Sequence, residues 1–250
     1  MTWRMLGLSG LLSLCLSLPA WAGSEAIRYE PLDDIRYDIT REGVLQLLCR
    51  DPLTGQHFLS RVVVLQNPDP DADTDILLGT RHALFASGRQ RDCRVRGVPE
   101  EVGHITGVSA GKPVSGDATD FSHDWAILQT RERLPEGVRR LRVLAASGEA
   151  HGALTFLRRP VDGEHCRLPA GPLHLSDPAL IFHDCASRAG LSGTPLVTQI
   201  NGEAYIVALH VGRYYLVEEE GQEYGVARLV NGEFLDALSA VLAESRRRQR

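Results

Sequence analysis

The stretch Gly190-Leu191-Ser192-Gly193-Thr194-Pro195 decides the fold of this 250-residue chain. A serine hydroxyl is a weak nucleophile until a base takes its proton and N–H groups stabilise the oxyanion that forms on attack. Gly190 and Gly193, on either side of Ser192, let the backbone turn tightly and direct its N–H groups at a substrate. The stretch therefore predicts a nucleophilic serine, which needs a histidine and an aspartate elsewhere in the chain.

An aspartate and a histidine stand upstream in suitable places. Asp124 precedes the apolar segment 125–128, and His82 follows the apolar segment 76–78. A carboxylate beside an imidazole fixes its tautomer and stabilises the imidazolium that forms during catalysis. By itself, Asp124 fits equally well as a residue that caps the turn before a strand.

Three other histidines compete with His82 for the role of base. His57 comes before the pair of strands that should precede the base, and His104 follows no apolar segment. His123 adjoins Asp124 and points to the opposite face if the segment is extended, because side chains alternate along a strand. These positions favour His82.

In the order histidine, aspartate, serine, these segments resemble the trypsin-like (chymotrypsin-fold) serine proteases. The serine stretch matches the family pattern Gly-x-Ser-Gly-x-Pro, and segment 124–128 matches Asp-hydrophobic-Ala-hydrophobic-Leu. The histidine segment departs from the usual Thr-Ala-Ala-His-Cys, since Thr80 is one place closer, Arg81 replaces alanine and Ala83 stands where the cysteine would be. An α/β-hydrolase would place the serine first and a glycine at Thr194, so that class is disfavoured.

The resemblance implies a catalytic triad and an oxyanion hole of two backbone N–H groups: the triad is His82, Asp124 and Ser192, and the hole is Gly190 and Ser192. Leu191 stands where digestive members have the aspartate that pairs with a newly cut N-terminus, and segment 23–26 lacks Ile-Val-Gly-Gly. The N-terminal activation switch is therefore expected to be absent. In this respect the chain resembles bacterial glutamyl endopeptidases more closely.

Specificity is predicted from the same resemblance. The expected substrate contacts come from the segment before Ser192 and from the strand around His210: Ala186, Ser187, Leu209, His210, Val211 and Gly212. Ala186 stands where trypsin has aspartate, so a basic P1 residue (the residue before the cleaved bond) has no obvious partner. His210 resembles the histidine that reads a P1 glutamate in glutamyl endopeptidases, and a cationic His210 with Arg188 would bind a carboxylate. A purely structural role of His210 stays open.

The rest of the chain predicts an all-β protein with one helix at its end. Short apolar segments alternate with turns that contain glycine or proline, and Asn201-Gly202 between two apolar segments is typical of a hairpin. Apolar residues recur at helical spacing from Gly232 to about Ser245. The resemblance implies two six-stranded antiparallel β-barrels, at about 35–135 and about 136–231, followed by the C-terminal α-helix at 232–245.

Residues 1–22 are predicted to be a secretory signal peptide. Arg4 precedes an apolar segment that ends in Pro19-Ala20-Trp21-Ala22, a small-x-small pattern before a cleavage site. A membrane anchor is the alternative, but about 14 apolar residues fall short of the ~20 that span a bilayer, and no later segment is a candidate. We therefore expect an exported protein, periplasmic or secreted, whose peptidase domain occupies 23–250.

The cysteines agree with export. Cys49, Cys93, Cys166 and Cys185 remain after cleavage, an even number that suits an oxidising compartment. Of the three possible pairings we favour Cys49–Cys93 and Cys166–Cys185, since each pair then lies within one half of the chain. The sequence contains no Cys-x-x-Cys pair, the spacing that would indicate a metal site.

Alternating aspartates between 69 and 75 resemble the start of a calcium loop. Thr74 and Thr80 stand where such a loop needs glycine and glutamate, so we favour a solvated acidic loop. The net charge of −5 also disfavours general nucleic-acid binding.

Together these features predict an exported serine endopeptidase that hydrolyses protein or peptide substrates through an acyl-enzyme, with no cofactor and no metal. The alternative belongs to another functional class. It is a catalytically inactive protein of the same fold that binds peptides or partners.

Overall fold

The computed structural model describes residues 43–113, 120–145, 154–157, 163–166, 177–185, 187–216 and 222–248. The predicted signal peptide lies outside the described residues. In chain order the elements are β1 (Val44–Arg50), β2 (His57–Val64), β3 (Ile76–Gly79), α1 (Arg81–Leu84), β4 (Phe85–Ala86), β5 (Arg89–Gln90), β6 (Asp92–Val95), α2 (Glu100–Gly103), β7 (Ile105–Ala110), a 3-10 turn (Phe121–His123), β8 (Ala126–Thr130), β9 (Arg142–Val143), β10 (Leu154–Leu157), β11 (Gly163–Cys166), β12 (Leu180–His183), β13 (Pro195–Ile200), β14 (Glu203–Leu216), β15 (Gln222–Leu229) and α3 (Gly232–Arg248).

The first sheet contains six antiparallel strands in the order β6-β1-β2-β3-β8-β7. Successive side chains of a strand point to opposite faces. Val62 therefore packs in the core formed by residues of the first sheet, whereas Val63, on the other face, packs with residues of the second sheet. A bridge between Arg94 on β6 and His104, directly before β7, nearly closes the sheet into a barrel.

The second sheet has the order β11-β10-β13-β14-β15-β12, and the short strand β9 pairs in parallel with β14. The turn Asn201-Gly202 joins β13 to β14, with φ angles of 53° and 80° at its two residues. Two consecutive residues with positive φ form the tight turn that best fits the twist of a hairpin. The predicted hairpin is thus present.

The core between the sheets includes the C-terminal helix. Phe234 and Leu238 of α3 are buried among residues of both sheets. Trp125 stacks on Phe234, with ring centroids 4.9 Å apart, and burial of one such large side chain contributes about 1.5–3 kcal/mol. Because Trp125 directly follows Asp124, this contact fixes the chain at the position of the candidate catalytic carboxylate.

The predicted fold class is confirmed, since the described chain is mostly β-strand with one long helix at its end. That helix ends at Arg248, further along the chain than predicted. The boundaries proposed for the two barrels stay predictions. No helix among the described segments is both long and apolar enough to cross a membrane.

Candidate active site

His82 and Asp124 lie at the same edge of the first sheet. Strands β3 and β8 are antiparallel neighbours, with Gly79 opposite Ala126. The residues that follow β3 and those that precede β8 therefore come together. His82 lies in the one-turn helix α1 after β3, and Asp124 follows the 3-10 turn before β8.

The Asp124 carboxylate binds His82 twice. One oxygen accepts the backbone N–H of His82 at 2.8 Å, and the other lies 2.5 Å from Nδ1 of its ring. Because a carboxylate only accepts hydrogen bonds, Nδ1 carries the proton and Nε2 is left as the basic nitrogen. The Asp124 side chain is 3 % exposed and that of His82 is 43 % exposed. The ring can therefore meet a substrate while the carboxylate is shielded from water.

The environment also sets the basicity of His82. Burial lowers the pKa of this imidazole, but the negative charge of Asp124 and its hydrogen bond outweigh that effect. The positive charge of Arg91 opposes Asp124, and the net result is a pKa above the ordinary histidine value. An imidazole that is oriented by a carboxylate and titrates in this range is suited to general base catalysis.

A buried arginine supports the segment that leads into Asp124. Arg228 on β15 is 3 % exposed, and it donates to the carbonyl of Ser122 and to Oδ1 of Asn231. Burial lowers the pKa of Arg228, although surrounding carboxylates act in the other direction. No sequence motif marks this residue, because its partners are brought near only by the fold.

The loop that carries Ser192 is tied to both sheets. The Ser192 carbonyl accepts the backbone N–H of Arg61 on β2 at 2.8 Å, and the N–H of Gly193 donates to the carbonyl of His210 on β14 at 2.8 Å. Gly193 has a φ of 88°, and a Cβ atom there would lie 2.0 Å from the Arg61 oxygen. Only glycine fits this position, as the sequence pattern predicts.

Two backbone N–H groups of this loop remain available to a ligand. The N–H groups of Leu191 and Thr194 are used within the loop, which leaves those of Gly190 and Ser192 without an acceptor in the described part of the chain. Gly190 has a φ of 84°, a conformation that other residues rarely adopt. The same two groups are the predicted oxyanion hole.

Ser192 and His82 are not joined by a hydrogen bond within the described residues. Ser192 itself is half-buried. Hydrogen bonds between catalytic groups are often long or poorly aligned before a substrate is bound. The structure thus brings His82 and Asp124 into direct contact, and it holds the loop of Ser192 against β2 of the same sheet.

A chain of hydrogen bonds leads inward from the segment before Ser192. The hydroxyl of Ser187 lies 2.7 Å from Nε2 of His210, and Nδ1 of His210 lies 3.1 Å from Nε2 of His183. His210 and His183 are 2 % and 0 % exposed. Sequence reasoning identified Ser187 and His210 but missed His183, whose only signal is a position at the end of an apolar segment.

The two histidines meet across β15, which separates their strands. His183 on β12 pairs with Gly225 of β15, and His210 on β14 pairs with Ala227. A Cβ atom on Gly225 would lie 2.1 Å from Cε1 of His183. The missing side chain of Gly225 therefore makes the space in which the His183 ring reaches His210.

At the other predicted substrate contacts, the described side chains are buried or the residue is a glycine. The side chains of Leu209 and Val211 are buried in the hydrophobic core, so only their backbone groups remain for a substrate. A Cβ atom on Gly212 would lie 2.4 Å from the Phe121 ring, so the glycine is needed for packing. Arg188 is exposed, and Ala186 lies outside the described residues.

Both favoured cysteine pairings are present as disulfides, Cys49–Cys93 and Cys166–Cys185. Ligand atoms of Cys166, Cys185 and His183 lie within 4.8 Å of one another. A zinc site would require thiolates, and these two sulfurs are bonded to each other. The trio therefore does not fit a metal ion while the disulfide is intact.

One aspartate of the acidic loop is not solvated as predicted. Asp75 is 1 % exposed, accepts two hydrogen bonds from Arg140 at 2.8 and 2.9 Å, and accepts the backbone N–H of Leu134 at 2.7 Å. The alternating pattern does not distinguish Asp75 from the other aspartates, because its ion-pair partner, Arg140, is distant in sequence. With its oxygens already used, Asp75 is a structural residue.

The two sheets, the first nearly closed into a barrel, and the C-terminal helix packed against both have the arrangement of the chymotrypsin fold of serine proteases. Solved proteases share it. The chain is similar to the protease Anisep from Arthrobacter nicotinovorans, with a TM-score of 0.53 and 12 % identity over 80 % of this chain and 95 % of that chain. It is also similar to a Glu endopeptidase solved in complex with MPD, with a TM-score of 0.52 and 12 % identity over 81 % and 97 % of the two chains.

At this level of identity the likeness shows the fold alone. Comparisons by sequence give no match, either to a protein-family model or to a curated protein. The roles of the site residues must therefore be argued from their own geometry.

Proposed function

We propose that this protein is an exported serine endopeptidase that uses His82, Asp124 and Ser192 as its catalytic triad. The observation that carries the proposal is the double contact of the Asp124 carboxylate with the backbone and the ring of His82. A carboxylate in a purely structural role would not need to select one tautomer of a partly exposed imidazole. The two disulfides are consistent with an exported protein.

In the proposed reaction, Nε2 of His82 takes the proton of Ser192 as its oxygen attacks a peptide carbonyl. The N–H groups of Gly190 and Ser192 stabilise the resulting oxyanion, and loss of one such donor typically raises the barrier by about 3 kcal/mol. His82 then gives its proton to the leaving amine. A water molecule, activated by the same imidazole, releases the acyl group from Ser192.

The substrate backbone has a place to bind beside β14. Strand β13 pairs with β14 only as far as Pro195, which lies opposite Leu209. From Val211 onward, β15 is the only described strand that pairs with β14. An extended peptide can add to such an open edge through main-chain hydrogen bonds. This arrangement agrees with a substrate that is a protein or a peptide.

We extend the proposal to an acidic P1 residue. Ser187, at the surface end of the hydrogen-bonded chain, and a protonated His210 behind it would together bind a carboxylate. The side chain of His183 supports the ring of His210 from the opposite side. The Glu endopeptidase of similar fold shows that this fold can carry a specificity of that kind.

A fluorophosphonate probe tests the function, since it labels a serine only when that serine is activated. We expect labelling of Ser192 in the mature wild-type protein, and its loss in Ser192→Ala and in His82→Ala. His104→Ala, which removes a histidine outside the triad, serves as the matched control and should be labelled. Absence of labelling in a well-folded wild-type sample would overturn the proposal.

The alternative is an inactive protein that binds peptides. The departure of the histidine segment from the family pattern, at Thr80, Arg81 and Ala83, is the feature that favours it. That alternative predicts peptide binding by a folded wild-type protein without labelling of Ser192.

A further inference from the structure

The segment that carries His82 has little to hold it in place by itself. Helix α1 has four residues, and its N-cap, Thr80, makes no side-chain hydrogen bond to the helix. A single helical turn is not stable without outside contacts. Ala83, directly after His82, offers no sulfur for a disulfide, and the disulfide of this sheet instead joins β1 to β6.

Arg91 supplies the missing contacts. Its Nη1 donates to the backbone carbonyls of His82 and Ala83, both at 2.8 Å. Its own backbone N–H donates to the carbonyl of Leu84 at 2.7 Å. The carbonyls of a helix end need partners outside the helix, and this one arginine satisfies three in succession.

Arg91 is in turn fixed from two directions. Its guanidinium lies 3.8 Å from the ring centroid of Phe58 on β2, close enough for a cation–π contact. Cys93, two residues later in the chain, is bonded to Cys49, and Cys49 is the cross-strand partner of Phe58. The disulfide, the aromatic ring and the arginine therefore form one connected support beneath the histidine segment.

We propose that Arg91 is a positioning residue for His82, which holds the backbone of α1 so that the imidazole faces Ser192 while Asp124 holds its ring. The inference rests on the proposed function in that it assigns His82 the role of base. Arg91 does not touch the reacting atoms. It acts through two carbonyls and through its charge.

The charge of Arg91 provides a second, separable readout. Burial and Arg91 both lower the pKa of His82, whereas Asp124 raises it. Removal of the cation therefore raises the pKa of His82. Since the base must be neutral to accept a proton, the fall of the reaction rate on acidification would begin at higher pH.

The test compares Arg91→Met, which keeps most of the side-chain length, with Arg91→Lys, which keeps the charge. Arg94→Met is the matched control, because Arg94 on β6 forms an exposed ion pair with Glu100. For each variant we would measure the rate of labelling by a fluorophosphonate across pH. NMR of the histidine rings would follow the titration of His82 directly.

We expect Arg91→Met to be labelled about 10- to 100-fold more slowly, the range that a displaced catalytic group typically costs. Its His82 should titrate at higher pH. Arg91→Lys should titrate as the wild type does, yet label about threefold or more slowly because an ammonium lacks the planar fork of a guanidinium. Arg94→Met should match the wild type in both measurements.

Wild-type labelling and an unshifted His82 titration in Arg91→Met would overturn the inference. If Arg91→Met does not fold, Arg91→Lys decides, and labelling at the wild-type rate would contradict the positioning role. If the wild-type protein itself is not labelled, the proposed function fails. The NMR titration then still tests the inference about Arg91. An upward shift of the His82 pKa in Arg91→Met supports an influence of Arg91 on His82, and an unchanged pKa contradicts it.

Discussion

Two histidines on different sheets of this protein differ in both their exposure and their partners. His82, at the edge of the first sheet, is partly exposed and binds a buried carboxylate. His210, in the second sheet, is buried and lies in hydrogen-bonding distance of a hydroxyl and a second imidazole. A carboxylate partner keeps a histidine oriented and basic, which suits proton transfer. Ser187 and His183 are groups that can donate hydrogen bonds, and a site built from such donors suits recognition of an anionic ligand.

Replacement of the carboxylate should separate the two roles most strongly. Asp124→Asn keeps the shape of the side chain but puts an amide opposite Nδ1 of His82, which favours the wrong tautomer. We expect kcat for a peptide substrate to fall about 10⁴-fold, the size of the effect that the corresponding change has in serine proteases with a catalytic triad. The preference between acidic and neutral P1 residues should remain, because the contacts of His210 are intact.

Asp71→Asn is the matched control, since Asp71 is exposed on the acidic loop and should leave kcat unchanged. A fall of less than tenfold in Asp124→Asn would mean that the carboxylate does not orient the base. The contrast between His82 as an oriented base and His210 as a ligand-binding group would then have no support.

The proximity of His82 and Asp124 could be predicted from the sequence because the signal of each residue is local. Asp124 precedes an apolar strand, and His82 follows another. Antiparallel pairing of those strands is sufficient to bring their ends together. The glycine pattern of the loop that carries Ser192 could also be read from the sequence, but the steric demand at Gly193 comes from the Arg61 oxygen on β2, which is distant in sequence.

The surroundings of His210 could be predicted only in part. The resemblance predicts a role for Ser187 and His210, but the contact of His210 with His183 depends on a third strand, β15, that lies between their strands. Nothing in the sequence around Gly225 indicates that its missing side chain makes room for an imidazole. The same holds for Arg91 and Arg228, whose carbonyl partners are supplied by backbone that any sequence would offer.

The second prediction concerns the loop that links the two regions. Gly193 and Gly202 both have positive φ, but a Cβ atom on Gly193 meets the Arg61 oxygen at 2.0 Å, whereas none is met at Gly202 within 4 Å. Gly202→Ala should therefore lower the free energy of unfolding by about 1–2 kcal/mol through backbone strain alone. Gly193→Ala should lower it by about 3 kcal/mol or more, because the loop must also move away from β2.

Urea denaturation of the two variants checks this difference, with the wild type as reference. Labelling of Ser192 should be lost only in Gly193→Ala. Equal losses of stability in Gly193→Ala and Gly202→Ala would show that the loop of Ser192 can move away from β2 without a cost in free energy. The contact of this loop with the first sheet would then be weak.

The third and smallest effect is expected at the pocket. In His210→Gln, the side chain still forms hydrogen bonds but can no longer become cationic. We expect the ratio of kcat/KM between P1 glutamate and P1 glutamine substrates to fall about 10- to 100-fold, since a hydrogen bond to a charged group contributes about 1.5–3 kcal/mol. The fluorophosphonate labelling rate should fall by a smaller factor, because the probe carries no P1 carboxylate.

His104→Gln is the control for this change, since His104 lies before β7 and near Asp92 rather than in the pocket. It should keep the wild-type ratio. A wild-type protein that cleaves both substrates equally well, or an unchanged ratio in His210→Gln, would assign His210 a structural role only. The contrast between the two histidines would then be one between a base and a core residue, and the open edge of β14 would be left as the main determinant of substrate binding.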